Sequence, residues 1–278
     1  MTWRALTLLP CSSLLIALAP PAIAADGLRI SAGFDYTSGD YGESETTQIW
    51  SFPLSLGYTR GALGLKISVP YLHVSGPGDV IPGITPVVSD RRRGASKPED
   101  DPGAGGGGGG TTTTRTRTTN SGIGDVVATA TYAFINDPQA WRLALTGKVK
   151  FPTANENKNL GTGETDYSAQ VDLDRVIGRV TPFGSVGYRW LGTRADLDLR
   201  NVWYATLGAA WKVTDWTSID VAYDWGQATS AGGDDIGEVT LGVSHWFGDH
   251  WKLSAYLLRG VSDGSPDWGG GASVGYAF

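Results

Sequence analysis

Apolar and polar positions alternate from Trp141 to Phe151. Trp141, Leu143, Leu145, Val149 and Phe151 take every second place, with Gly147 among them, and Arg142, Thr146, Lys148 and Lys150 fill the places between. Period two puts the two sets on opposite faces of an extended strand. After a Gly/Asn-rich loop the pattern returns, with Tyr167, Ala169, Val171 and Leu173 against Asp166, Ser168, Gln170, Asp172 and Asp174. These stretches predict an antiparallel strand pair with one apolar and one charged face. In a soluble sandwich the apolar face would turn inward to a core; in a membrane barrel it would turn outward to lipid and leave the charges in the lumen.

The same alternation recurs along most of the chain. Leu28 to Tyr36, Trp50 to Tyr58, Leu63 to His73, Val126 to Phe134, Val186 to Trp190, Trp203 to Trp211, Ile219 to Trp225, Val239 to Phe247, Trp251 to Leu257 and Ala272 to Phe278 all carry it. Residues 75–120 break every period with prolines, the Arg91-Arg92-Arg93 cluster, the Gly105–Gly110 run and a Thr/Arg tract, and predict a long flexible low-complexity loop, extracellular in a barrel. The pattern predicts about twelve strands, an even number as single-chain bacterial barrels require. Connections near residues 60, 136, 178, 214 and 249 are tight, whereas those near 41, 98, 157, 196, 230 and 265 are longer. Short periplasmic turns alternating with longer extracellular loops give such a rhythm.

Aromatic residues on the apolar face gather at strand ends: Tyr188, Trp190, Trp203 and Trp225 toward the loops, and Tyr132, Trp141, Trp211, Phe247 and Trp251 toward the turns. Amphipathic rings belong at both membrane interfaces, so these residues predict two aromatic girdles. A soluble sandwich predicts neither the loop rhythm nor the girdles. The expected fold is an all-β, antiparallel transmembrane barrel in a bacterial outer membrane, surrounded by lipid and lipopolysaccharide. Its last strand, with Tyr276 and Phe278 on the apolar face, has the form of the C-terminal insertion signal that the barrel-assembly machinery reads.

Composition sharpens this picture. The chain has 11 Trp, 11 Tyr and 40 Gly against one Met, which suits strands and turns more than helices. A net charge of -6 offers no electrostatic case for binding nucleic acid. Residues 1–24 have a positive start at Arg4, an apolar run from Leu6 to Ala19, and Ala22-Ile23-Ala24 as a small-x-small cleavage site, so they read as a signal peptide and residues 25–278 as the barrel. The only cysteine, Cys11, lies in that leader, and its Pro10 neighbour argues against a lipoprotein signal. No later stretch is apolar for long enough to form a membrane helix, so a membrane-spanning chain must be a barrel.

With the apolar faces given to lipid, the polar faces line the lumen. Arg142, Lys148, Lys150, Asp166, Asp172, Asp174, Arg189, Asp220, Asp224 and Glu238 are the expected pore-lining charges, with Arg29, Lys66, Lys212, Lys252, Asp35 and Asp125 as further candidates. Both signs are present, so charge alone selects neither anions nor cations. Lys148 and Lys150 oppose the Asp166–Asp174 row, either as a transverse field across a pore or as a salt-bridged ladder that braces the wall. Twelve strands lie between the side-chain-filled eight-stranded barrels and the open porins, so any passage is expected to be narrow.

An enzyme site is weakly supported. His73 has Ser75 and Asp79 near it in sequence, but mutual reach is not implied, and His245 and His250 belong to the opposite end of the barrel. Ser121-Gly-Ile-Gly-Asp125 and Leu160-Gly-Thr-Gly163 are glycine-rich without a following helix, which argues against a phosphate cradle. No metal-ligand spacing appears and no cofactor is expected.

The segments SGIGDVVATATYAF, FPTANENKNLGTGETDYSAQVDLDR and FGSVGYRWLG, with PLSLGY and ISVPYLHVSGPG before them, resemble the family of outer-membrane transporters named for the meta-cleavage pathway of phenol degradation. The likeness runs from about Ile49 to the C-terminal Phe. It implies a channel for uptake of small molecules, with aromatic or other hydrophobic compounds as cargo, and carries over no catalytic residue. Where the family reads PTG, this chain has Pro152-Thr153-Ala154, and the Gly/Thr insertion in the long loop is its own. The expected function is a porin-like channel for passive uptake, not an enzyme. The alternatives are a non-conducting structural or surface-interaction barrel and, third, a barrel-embedded hydrolase.

Overall fold

Alternating side chains close one sheet upon itself. The computed structural model describes residues 26–42, 45–78, 80–84, 117–135, 137, 141–194 and 197–278. The expected leader at 1–24, the Arg91–Arg93 cluster and the glycine run lie outside these residues. The strands are β1 (Gly27–Gly39), β2 (Thr47–Arg60), β3 (Leu63–Gly76), β4 (Thr118–Ile123), β5 (Val126–Ile135), β6 (Trp141–Phe151), β7 (Asp166–Arg175), β8 (Val180–Trp190), β9 (Val202–Lys212), β10 (Thr217–Gly226), β11 (Ile236–Phe247), β12 (Trp251–Gly260) and β13 (Trp268–Ala277). The only helical element among the described residues is a 3-10 turn at Glu156–Lys158.

Each strand pairs antiparallel with its neighbours, and β13 pairs with β1 to close the ring. β4 and β5 form one stave in two pieces. β4 pairs with the loop half of β3 from Tyr71 to Gly76, and β5 with its turn half from Leu63 to Ser68. Gly124 and Asp125 separate the pieces, and the Gly124 N–H donates to the Pro70 carbonyl at 2.8 Å to keep the wall continuous. The fold is therefore a closed barrel of 12 staves, as the periodicity predicts. Of the 75–120 segment, the described residues include the end of β3 at Gly76, the folded residues 80–84, and β4 from Thr118.

The outer face is apolar along its whole height. Leu54, Val69, Leu145, Val171, Leu207, Leu241 and Leu257 all stand exposed at mid-strand, where a soluble sheet would bury one such face. Aromatic rings band both ends. At the loop end Tyr36 meets Trp50 and Trp268 at 4.4 and 5.0 Å, and Tyr188 meets Trp190 and Trp203 at 5.0 and 4.9 Å. At the turn end Tyr132 meets Phe134 at 5.1 Å, and Tyr276 meets both Trp251 and Phe278 at 4.9 Å.

Inside, large side chains lie over glycines on the paired strand. A Cβ on Gly187 would come within 2.4 Å of the Tyr204 ring, on Gly208 within 2.5 Å of Phe183, and on Gly271 within 2.6 Å of Tyr256. Each glycine is the direct register partner of the ring it seats. Covering a bare glycine backbone with a cross-strand ring restores packing that the missing side chain would leave open. At Gly208 the added atom would also approach the Val221 carbonyl at 2.6 Å, so neither neighbour has room to yield. Gly208→Ala should lower stability by about 1–3 kcal/mol through overpacking, read from the urea midpoint of the folded barrel in lipid vesicles.

Candidate functional site: the lumen and its mouth

The inward faces of β6, β7 and β8 carry the charges that alternation assigns to the lumen. Asp166, Asp172 and Asp174 are 3%, 0% and 0% exposed, so their carboxylates are packed among other side chains and not held in open water. On β6 and β7, Arg142 is the register partner of Asp174, and Lys150 that of Asp166. Arg142 Nε donates to Asp174 Oδ2 at 2.6 Å, with Nη2 on the same oxygen. Asp166 Oδ2 receives Arg189 Nη2 at 2.5 Å and faces Lys150 Nζ at 3.0 Å, while its Oδ1 accepts the Gly192 N–H at 3.1 Å. Lys150 Nζ also lies 3.1 Å from Asp125 Oδ2 and donates to Thr162 Oγ1 at 3.0 Å. At these pairs the charges brace neighbouring strands.

Lys148 is placed differently. Its Nζ reaches Gln170 Oε1 at 3.4 Å and lies 5.9 Å from the centre of the Tyr204 ring on β9. Gln170 Nε2 in turn donates to Asp172 Oδ1 at 2.5 Å, and Thr146 Oγ1 to Asp172 Oδ2 at 2.8 Å.

The β9–β11 wall is more acidic. Asp224 accepts from Thr206 Oγ1 at 2.6 Å and sits directly opposite Glu238 in register. Asp220 faces Gly242, whose missing side chain leaves room for the carboxylate. Nearer the turn end, Arg29 and Lys252 lie 5.9 and 6.0 Å from the Trp246 ring. Trp246 is an inward aromatic that the outer-face pattern does not announce.

The residues expected for the girdles all stand on the outer face: Tyr132, Trp141, Trp190, Trp203, Trp211, Phe247 and Trp251 are exposed, and Tyr188 and Trp225 partly so. His73, also on that face, shares a 2.7 Å hydrogen bond between its Nδ1 and Ser121 Oγ, and Ser75 Oγ instead accepts from Arg117 Nε at 3.0 Å. Asp79 lies outside the described residues. His245 Nδ1 bonds Thr217 Oγ1 at 2.8 Å, and His250 Nδ1 donates to the Ala277 carbonyl at 2.7 Å. The three histidines thus occupy separate, locally satisfied positions. Among the described residues no group of three or more His, Cys, Asp or Glu could hold a metal ion.

At the loop end the inner face changes character. Ile49 on β2 and Leu72 and Val74 on β3 turn inward, where they join Tyr41, Ala154 and Leu160 from the flanking loops in an apolar collar. Residues 80–84, beyond the end of β3, enter this collar as a strap. Val80, 2% exposed, packs within it; Ile81 and Ile84, 4% and 3% exposed, pack with Leu191, Leu197 and Leu199 of the β8–β9 loop. The strap therefore links the β3 side of the mouth to the β8–β9 side. Two polar ties flank it: Asn159 Nδ2 donates to the Gly78 carbonyl at 2.8 Å, and Arg189 Nη1 to the Gly83 carbonyl at 2.9 Å. Burial holds the Tyr41 phenol above its usual pKa, so it stays neutral in its 2.8 Å hydrogen bond with Thr37 Oγ1. The collar escapes simple alternation because both parities are apolar at these strand ends. Ile49 beside outward Trp50, and Leu72 and Val74 flanking outward His73, are the signal that marks it in the sequence.

A family model described as "Putative MetA-pathway of phenol degradation" matches residues 30–278. No curated protein matches the chain. Among solved structures, the fold is similar to the COG4313 outer membrane channel from Pseudomonas putida F1, with a TM-score of 0.64 at 15% identity over 91% of this chain and 96% of that one. It is also similar to the NanC porin, with a TM-score of 0.51 at 12% identity over 90% and 98% of the two chains. The beta domain of the Bordetella autotransporter BrkA aligns with a TM-score of 0.52 at 13% identity over 91% and 100%.

Proposed function

Because this chain belongs to the outer-membrane family described as the MetA pathway of phenol degradation, we propose that it is a channel for passive uptake of small hydrophobic molecules, monoaromatic compounds among them. The observation that carries the reading is the apolar collar and strap at the loop end, set above a charged bore. A channel for sugars or ions gains nothing from an apolar mouth, whereas a hydrophobic solute partitions into one. In this reading the loop end is extracellular, residues 1–24 are the export signal, and the last strand with Tyr276 and Phe278 meets the barrel-assembly machinery. Arg142, Lys148, Lys150, Asp166, Asp172, Asp174, Arg189, Asp220, Asp224 and Glu238 line a narrow bore and limit passage of polar solutes. The reading is not enzymatic: the separate positions of the three histidines give a hydrolase no support.

Uptake of radiolabelled toluene tests it. Gram-negative cells carrying the chain should accumulate label faster than cells without it. In planar bilayers the refolded barrel should show small conductance steps, and Lys148→Glu should shift ion preference toward cations by reversing one charge beside the bore. The close packing of Asp172, Asp174 and Thr146 favours the second reading, a non-conducting surface-interaction barrel. A folded protein that is silent in bilayers and leaves toluene uptake unchanged would establish that alternative.

A further inference from the structure

The collar is built to hold apolar groups, and the chain fills it with its own. Val80, Ile81 and Ile84 are buried more deeply than most of the residues that receive them, yet they belong to the connection that follows β3 and not to a strand. The segment makes a tight turn, with the Ile84 N–H donating to the Ile81 carbonyl at 3.0 Å, and glycines at positive φ at positions 78 and 83 allow it to bend. Beyond its apolar contacts it is held by the two ties from Asn159 and Arg189.

From this arrangement we infer that the collar is a binding site for a small apolar molecule, and that residues 80–84 occupy it as an internal surrogate which the molecule displaces. The inference rests on the uptake reading and names where cargo first binds. Withdrawing the strap alone would leave Tyr41, Ile49, Leu72, Val74, Leu160 and Leu191 facing water, an unfavourable exposure of apolar surface. An apolar molecule that takes the strap's place removes that penalty, because one set of apolar contacts is exchanged for another. A polar solute cannot, since it leaves the collar unfilled and its own groups desolvated. Opening is thereby linked to the character of the solute: only a ligand with higher affinity for the strap-withdrawn state can populate it. Asn159 and Arg189 set how readily the exchange occurs, and Arg189 does so while also bound to Asp166, so the state of the strap is coupled to the charged bore beneath.

A nitroxide label on the strap reads the exchange directly. Pro82→Cys, with Cys11 replaced by serine so that no other thiol is present, is labelled and placed in phosphatidylcholine nanodiscs. The spectrum should be largely immobilised, and saturating toluene should lower the immobilised fraction by roughly two-fold or more, whereas glycerol at equal concentration leaves it unchanged. A label at Asp234→Cys, exposed on another loop of the same mouth, should not respond to toluene. Asn159→Gly, which cuts one tie and suits the left-handed backbone at that position, should shift the response to lower toluene concentration. A strap label that stays immobilised at saturation, or one that loosens equally with glycerol or together with the Asp234 label, overturns the inference. Cellular toluene uptake separates the two claims. An unmoved strap with toluene uptake intact refutes the exchange and spares the channel; a toluene-specific strap response without uptake supports the site and refutes the channel.

Discussion

Asp166→Ala is expected to destabilise the barrel by about 3 kcal/mol, the low end of what removing one partner from a buried ion pair costs. Asp166 is 3% exposed and is the shared acceptor for Arg189, Lys150 and the Gly192 N–H. Its removal leaves two cations facing each other with less compensation. Lys150 keeps Asp125 and Arg189 keeps the Gly83 carbonyl, which is why the low end applies. Urea unfolding of the refolded barrel in lipid vesicles gives the number, with Asp166→Asn retaining an acceptor for Gly192 and losing less. The magnitude also reports on the bore. An exposed, solvated pair is worth about 0–1 kcal/mol, so a loss in that smaller range would mean that water fills the loop-end lumen and screens these charges. The full loss would mean that the charges are packed as a polar core.

Leu207→Arg should cost about 2–4 kcal/mol, the depth-dependent penalty for a cation on the lipid face near the bilayer midplane. Leu207 is at the middle of β9 and is 72% exposed. At the surface of a water-soluble protein a substitution at such a site would fall within about 0.5 kcal/mol of neutral, so the experiment contrasts two solvents with one residue. Folding into vesicles, followed by urea titration, should show the loss; an unchanged midpoint would be incompatible with lipid around β9. Arg at the neighbouring Val221, also outward on β10, should behave alike, with the cost falling toward either girdle.

The barrel is legible in the sequence because its two solvents impose one rule. Lipid outside and a polar interior force period two on every stave, and that rule can be read from Trp141 or Leu241 without knowing any partner. The rhythm of turns and loops supplies the order, and nearest-neighbour pairing follows from it. Which lumen charges meet is less legible: Arg142 with Asp174 and Lys150 with Asp166 follow from register, but Lys148 passing to Gln170 and Tyr204 depends on side-chain reach. The inward turn of Trp246 breaks the expectation that large rings face lipid, since it adjoins outward His245 and Phe247 and pairs instead with interior cations. The mouth is least legible. Its residues come from separate connections, and what unites Tyr41, Val80 and Leu160 is a loop path that no local period encodes. The split of one stave at Gly124 and Asp125 is similarly hidden, because Thr118 to Gly122 lacks an apolar parity and the outward set passes from odd positions at Ile123 to even ones from Val126 onward.

The rings seated on glycines have a consequence for how such a protein diversifies. Tyr204 over Gly187, Phe183 over Gly208 and Tyr256 over Gly271 each join one bulky and one empty position across a single hydrogen-bonded register. Exchanging the members of such a couple would move bulk from one stave to the next while conserving the combined volume. The cross-section of the bore could thereby be reshaped around its circumference without altering the outward residues on which insertion depends. If the barrel conducts as proposed, cargo range and membrane assembly are written on opposite faces of the same strands, and selection can revise the first while leaving the second intact.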